Sequence, residues 1–251
     1  MRTSTETAVR RLTRFASSLL GVAAVAAVIS LATPCAAQEV DTPTPPDTGG
    51  QRGGLIVPTP WIVLDTPVDK RVDVKAYGFY VGQVKAPVAQ LDVPIKVARF
   101  FTVTPSYLYT SIPASGLNQM PLEPAHFTHT YNEHQFRVDG TFGFAFHKFE
   151  ISVRNMYVRR FRPAPAGDIN RYRGRISIAR PVSVHGKTFK PFASFEEFHE
   201  RPAGWNRNRL WTGVTVPVTR RASVQPSYLW EQSDGNRDIH YLLFALMIRT
   251  K

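Results

Sequence analysis

Arg173, Glu196, Arg209, Glu231 and His240 lie far apart in the sequence, alternate in charge sign and are spaced to form an ion-paired network. Brought into one row, such side chains would cross-brace a cavity, plug it or line a solute pathway. A second group is basic: Arg159-Arg160-Phe161-Arg162, with Arg171 and Arg201 near neighbouring loops. Guanidinium forks match phosphate oxygens, so Arg159, Arg160, Arg162 and Arg201 are candidate contacts to lipopolysaccharide phosphates. A third group, His126, His129 and His134 with Glu123 and Glu133, invites a metal reading. Its spacing fits neither a helical nor a Cys/His template, so ordinary loop histidines are expected, with no metal and no cofactor.

Hydrolytic chemistry would need a serine, a histidine and a carboxylate or amide to converge. His134 is the best general-base candidate and His199, beside the loop 200–205, the second. No G-x-S-x-G elbow, P-loop or dinucleotide fingerprint occurs, so no catalytic residue is assigned.

The elements that must position these residues are strands. From Glu133 to Phe146 one face carries His134, Phe136, Val138, Gly140, Phe142, Phe144 and Phe146, and the other Glu133, Gln135, Arg137, Asp139 and Thr141. That period of two marks a strand with one oily and one polar face. The same reading predicts about ten strands, near 72–83, 88–97, 99–110, 130–146, 148–161, 170–181, 188–199, 206–218, 222–232 and 238–249. Short turns near Ala98, His147, His185-Gly186 and Arg220-Arg221 alternate with longer loops at 111–129, 162–169, 200–205 and 233–237. In a meander that alternation puts short turns at one end and long loops at the other, the pattern of outer-membrane barrels.

Opposed residues of an antiparallel pair have a constant index sum. A turn at His185 then predicts Arg173 opposite Glu196, and the loop 200–205 brings Glu196 to Arg209. Turns at Arg220 and at Asp234-Gly235 continue the row to Glu231 and His240. Arg137, Asp139, Arg154 and Arg171 are expected in the same interior network.

The N-terminus is a separate matter. Arg2, Arg10, Arg11 and Arg14 precede an Ala/Val/Leu-rich run ending at Cys35-Ala36-Ala37, which reads as a secretory signal over 1–37. Residues 38–60, rich in Pro, Thr, Asp and Gly, read as a disordered leader. Residues 61–251 are left for a barrel domain. An apolar content of 43% argues against wholesale disorder, and one cysteine excludes a disulfide scaffold. A net charge of +12 on an exported chain points to outer-membrane lipid and lipopolysaccharide rather than nucleic acid.

The fold class expected is all-β: an up-and-down antiparallel transmembrane β-barrel of about ten strands in the cell outer membrane. Strand length, aromatics near strand ends and the export signal favour it over a soluble barrel. The C-terminal half, with Arg171-Tyr172-Arg173-Gly174-Arg175, Pro191-Phe192-Ala193-Ser194-Phe195-Glu196-Glu197-Phe198, Asn206-Arg207-Asn208-Arg209-Leu210, Pro226-Ser227-Tyr228-Leu229-Trp230 and His240, resembles the family known as domain of unknown function 2490. That resemblance implies a Gram-negative outer-membrane barrel and no particular activity. Barrels of this kind commonly end on an aromatic that the barrel assembly machinery, an expected partner, recognises; here Ile248 is followed by Arg249-Thr250-Lys251. The expected function is a non-enzymatic structural barrel or narrow pore with a charge-braced lumen. The alternatives are an outer-membrane enzyme acting on lipid A or phospholipid, and a periplasmic lipocalin-like binder.

Overall fold

The computed structural model describes residues 55–82, 85–113, 131–163, 167–201, 204–233 and 238–250. Its strands are β1 (Leu55–Pro67), β2 (Asp73–Val81), β3 (Ala86–Asp92), β4 (Ile95–Ala98), β5 (Phe101–Ile112), β6 (Tyr131–Phe146), β7 (Phe149–Phe161), β8 (Ile169–Ala179), β9 (Val182–Val184), β10 (Lys187–Glu200), β11 (Gly204–Pro217), β12 (Ala222–Ser233) and β13 (Ile239–Arg249). Eleven of them close a ring in the order β1, β2, β3, β5, β6, β7, β8, β10, β11, β12, β13 and back to β1. The short β4 and β9 pair with β5 and β10 outside that ring.

Ring neighbours are antiparallel except at one seam, where β1 runs parallel to β13 from Leu55 opposite Ile239 to Asp65 opposite Arg249. The seam follows from parity. Each antiparallel step reverses direction, so after an odd number of strands the first and last point the same way. The ring therefore has one strand more than the ten or so expected, and the extra strand begins inside the segment read as leader. Pro58 and Pro60 caused that misreading, since proline normally argues against a strand. Their tolerance has a local reason: the pairing of β1 with β2 starts at Trp61, so, among the described residues, 55–60 have a ladder partner on the β13 side alone. Two residues apart, the prolines withhold their missing N–H groups from the same side of the strand.

The short turns collect at one end. Non-glycine residues His147 (φ 53°) and His185 (φ 48°) take left-handed conformations there, and Gly186 (φ 75°) follows His185, the two positive values that a two-residue hairpin matching the strand twist requires. β13 ends at the same rim, where Arg249 N–H donates to the Arg221 carbonyl.

The two faces of the ring are inverted relative to a water-soluble barrel. Phe144 (55% exposed), Ile176 (53%) and Phe244 (53%) point outward, whereas Glu133 (2%), Glu231 (2%) and Glu196 (6%) are buried inside. A lipocalin-like binder would carry its apolar face inward. Inside, β6, β7, β8, β10, β11 and β12 form a charged wall. The opposite wall is largely uncharged, with Val57, Val63, Val88, Leu108, Leu243 and Ala245 buried beside Thr59, Ser106 and Thr110.

Candidate functional site: the charged lumen

Within the charged wall, carboxylates on β10 and β12 are flanked by arginines on the adjacent strands. Glu196 lies opposite Arg175 of β8 on one side and Arg209 of β11 on the other. It accepts a hydrogen bond from Arg154 Nη2 at 2.7 Å and another from Arg173 Nη2 at 2.8 Å. Glu231, directly opposite Arg209, is paired with Arg209 and lies 3.6 Å from Arg207. Glu200 is paired with Arg171 and lies 3.9 Å from Arg160. Arg160 in turn donates two hydrogen bonds to Glu133, at 2.5 and 2.6 Å. Arg137 extends the network by donating to Gln135 at 2.7 Å and to Gln90 at 3.0 Å. Asp139 is buried on the same face.

Phe198 sits at the centre of this network, wholly buried. The guanidinium carbons of Arg173 and Arg209 stand 4.6 and 4.7 Å from its ring centroid, and those of Arg207 and Arg171 at 5.4 and 5.6 Å. Four cations within about 6 Å of one aromatic ring are held by its quadrupole as well as by the neighbouring carboxylates. The Nε atoms of Arg154, Arg173, Arg175 and Arg207 are buried without a hydrogen-bond partner, and the Arg175 guanidinium lies 6.0 Å from the Trp211 ring.

Trp211 belongs to a bar of aromatic rings spanning the lumen below the charges. Phe79 stacks on Trp61 at 4.4 Å, Trp61 meets Trp211 at 6.4 Å, and Trp211 meets Phe192 edge-on at 5.5 Å. Between the bar and the short-turn rim lies a cavity of about 690 Å³ lined by Trp61, Tyr77 and Trp211 together with basic residues of the rim.

The ladder expected from the sequence is reproduced unevenly. Glu196, Arg209 and Glu231 stand in one row at the expected register. Arg173 is displaced by two residues, opposite Phe198, because the β8–β10 connection contains β9; an even shift keeps its side chain inside and within reach of Glu196. His240 is not in the lumen. Glu231 pairs with Ile239, one residue short of the expected partner, and a slip of one turns His240 to the outer face, where its Nδ1 lies 2.5 Å from the Tyr228 hydroxyl.

The basic cluster also divides. Arg160 points inward to Glu133 and is not a rim residue. Alternation of β7 already implied this, since a strand cannot turn three consecutive side chains outward. Arg159, 40% exposed, is paired with Asp168; Arg162 Nε donates to the Gly167 carbonyl, and Arg201 is exposed. These three lie at the long-loop end. His134 is outward and hydrogen-bonded to the Tyr107 hydroxyl at 2.6 Å, between the Tyr107 and Tyr109 rings, while His199 packs against Trp205. Glu123, His126 and His129 lie outside the described residues. Sequence reasoning missed Phe198 and the Trp61–Trp211 contact; the inward phase of β10 and β11 was a usable signal for the first, but nothing local in the sequence joins β1 to β11.

No curated protein matches the chain significantly. Among solved structures it is similar to the outer-membrane OmpT of Vibrio cholerae, at 14% identity and a TM-score of 0.39, covering 65% of this chain and 51% of that one. It is also similar to the beta domain of the Bordetella autotransporter BrkA, at 14% identity and a TM-score of 0.40, covering 67% of this chain and 78% of that one. The chain thus spans about half the length of the OmpT chain. Residues 79–240 match the family described as Protein of unknown function (DUF2490), and the chain belongs to that family.

Proposed function

We propose that the chain is an outer-membrane β-barrel whose lumen is stoppered by its own side chains, a braced scaffold or narrow gated pore rather than an open channel. The observation that carries this reading is the inverted ring: apolar side chains outward, ion pairs inward, on a closed sheet. Along β6, Phe136, Val138, Phe142, Phe144 and Phe146 form an outward apolar row interrupted only by Gly140. Ten residues at ~3.3 Å, tilted by about 40°, give a band ~25 Å tall, the height of the lipid-facing band of such barrels. Exposed apolar surface on this scale is untenable in water. The basic, apolar and small-residue order of residues 2–37 supports export.

On this reading the short turns face the periplasm and the long loops the outside. Arg159, Arg162 and Arg201 then stand at the level of lipopolysaccharide phosphates and contact them, while Arg160 braces the lumen. The test is to refold the chain into lipid vesicles, score insertion by protease protection, and record single-channel conductance in planar bilayers. Protected protein with no steps, or with rare small ones, supports a stoppered barrel; steady large steps would show an open pore, and a chain that remains soluble and protease-sensitive removes the membrane reading.

A further inference from the structure

The lumen on the short-turn side of the aromatic bar is built like a binding site rather than a void. Its volume, about 690 Å³, is in the range of small-molecule pockets. Its floor is aromatic, from Trp61, Tyr77 and Trp211, and its lining carries five cationic side chains (Lys75, Lys190, Arg220, Arg221 and Arg249) against one carboxylate, Asp65. Lys190 has a partner in Glu150, but the other four cations make no ion pair among the described residues. The Nε1–H donors of Trp61 and Trp211 are both buried without an acceptor. Buried donors are normally satisfied, and two at one floor mark a place where an acceptor is wanted.

From this geometry we infer that the vestibule binds an amphiphilic organic anion, its flat apolar body against Trp61 and Trp211 and its carboxylate, sulfonate or phosphate group drawn by Lys75, Arg220 and Arg221. Indole faces supply stacking area, indole N–H groups supply donors, and the unpaired rim cations supply the charge selection. The site is a property of the closed ring and does not depend on which membrane holds it, so a failure here leaves the membrane reading standing.

The experiment uses the full chain folded in detergent micelles, with folding scored by heat-modifiable gel migration. Its tryptophan fluorescence is titrated with 2-naphthoate, with the neutral 2-naphthamide and with inorganic phosphate. Two of the four tryptophans line the cavity, while Trp205 faces outward. The expected result is saturable quenching by 2-naphthoate at least tenfold tighter than by 2-naphthamide. The pair Lys75→Gln with Arg221→Gln should weaken naphthoate binding by fivefold or more and leave naphthamide unchanged. Trp205→Phe should keep the response and Trp211→Phe should reduce it. Equal response to both naphthalenes is partition into the micelle and overturns the proposal, as does an unchanged naphthoate affinity in the double variant. Full displacement of naphthoate by equimolar phosphate overturns the aromatic half of the site. Where the double variant fails to fold, Arg220→Gln in the exposed turn supplies the charge test with the same expected direction.

Discussion

Removing the Glu196 carboxylate is the sharpest perturbation of the lumen. Glu196 holds Arg154 and Arg173 at 2.7 and 2.8 Å, with side-chain exposures of 8% for the acid and 16% and 13% for the two bases. Two charge-assisted hydrogen bonds are worth about 1.5–3 kcal/mol each. Their loss leaves guanidiniums facing one another with no counter-charge, which in buried networks costs about 3–5 kcal/mol in all. Water entering from the adjacent vestibule offsets part of that, so Glu196→Ala should lower stability by about 3 kcal/mol. Glu196→Gln keeps the shape and one acceptor oxygen and should lose roughly half as much. The assay is urea unfolding in lipid vesicles followed by tryptophan fluorescence, run beside bilayer conductance. Adding Arg173→Ala to Glu196→Ala should restore part of the loss, because it removes one of the orphaned charges; a coupling of about 1–2 kcal/mol is expected from groups in direct contact. An unchanged unfolding midpoint together with unchanged conductance would remove the bracing role, and strict additivity of the two substitutions would show that the pair seen in the structure carries no energy.

Three further outcomes follow from the fold. At Gly213 a methyl group would lie 2.4 Å from Ser227 Cβ and 2.7 Å from the Pro226 carbonyl oxygen, so Gly213→Ala should destabilise the barrel by about 1–3 kcal/mol, whereas Gly174→Ala, with open space around it, should be silent in the same unfolding assay. Ile176→Arg puts a charge on the outer apolar face and should cost ~2–4 kcal/mol in bilayers if it sits near mid-depth, read as the fraction folded in vesicles; no change would contradict lipid contact at β8. Because β1 enters at the long-loop end and β13 leaves at the short-turn end, an epitope tag placed just before Leu55 and another after Lys251 should label from opposite sides of the membrane in intact cells. Labelling of both from one side would mean an even-stranded ring without the parallel seam.

How far the sequence could be read depended on whether a feature was local or depended on closure. The faces of β6 were legible residue by residue, since a phenylalanine or valine at nearly every second position leaves no other phase. The opposition of Glu196, Arg209 and Glu231 was legible because tight or short connections fix an index sum. His240 was misplaced for the converse reason: the connection at 234–238 leaves the register one residue uncertain, and one residue is the difference between the lumen and the outer face. Arg160 was misassigned by reading a charge cluster as a unit where the strand period splits it. β1 was hidden because Pro58 and Pro60 carry the composition of a leader, and the parallel partner of that stretch lies at the far end of the chain.

The parallel seam is also what makes the aromatic bar possible. Trp61 and Trp211 belong to strands separated in the ring by β12 and β13, so their contact must pass over those two strands inside the lumen. On the intervening strands Ala245 lies opposite Trp61 and Leu229 opposite Trp211, and Ser227 lies opposite Gly213, whose missing Cβ leaves the Ser227 Cβ clear. An eleven-stranded ring has a backbone radius of about 11 Å, and an arginine reaches roughly 6–7 Å from its own strand. Arg154 to Glu196 and Arg137 to Gln90 each skip only one strand, and the ion pairs stay along one wall. Two large rings that meet at 6.4 Å reach farther, across two intervening strands. The charges therefore hold the arginine wall together, and on the proposed reading it is the bar of Phe79, Trp61, Trp211 and Phe192 that closes the passage. Widening the lumen should accordingly require truncating Trp61 or Trp211, while removing a single carboxylate loosens the wall without clearing the way through.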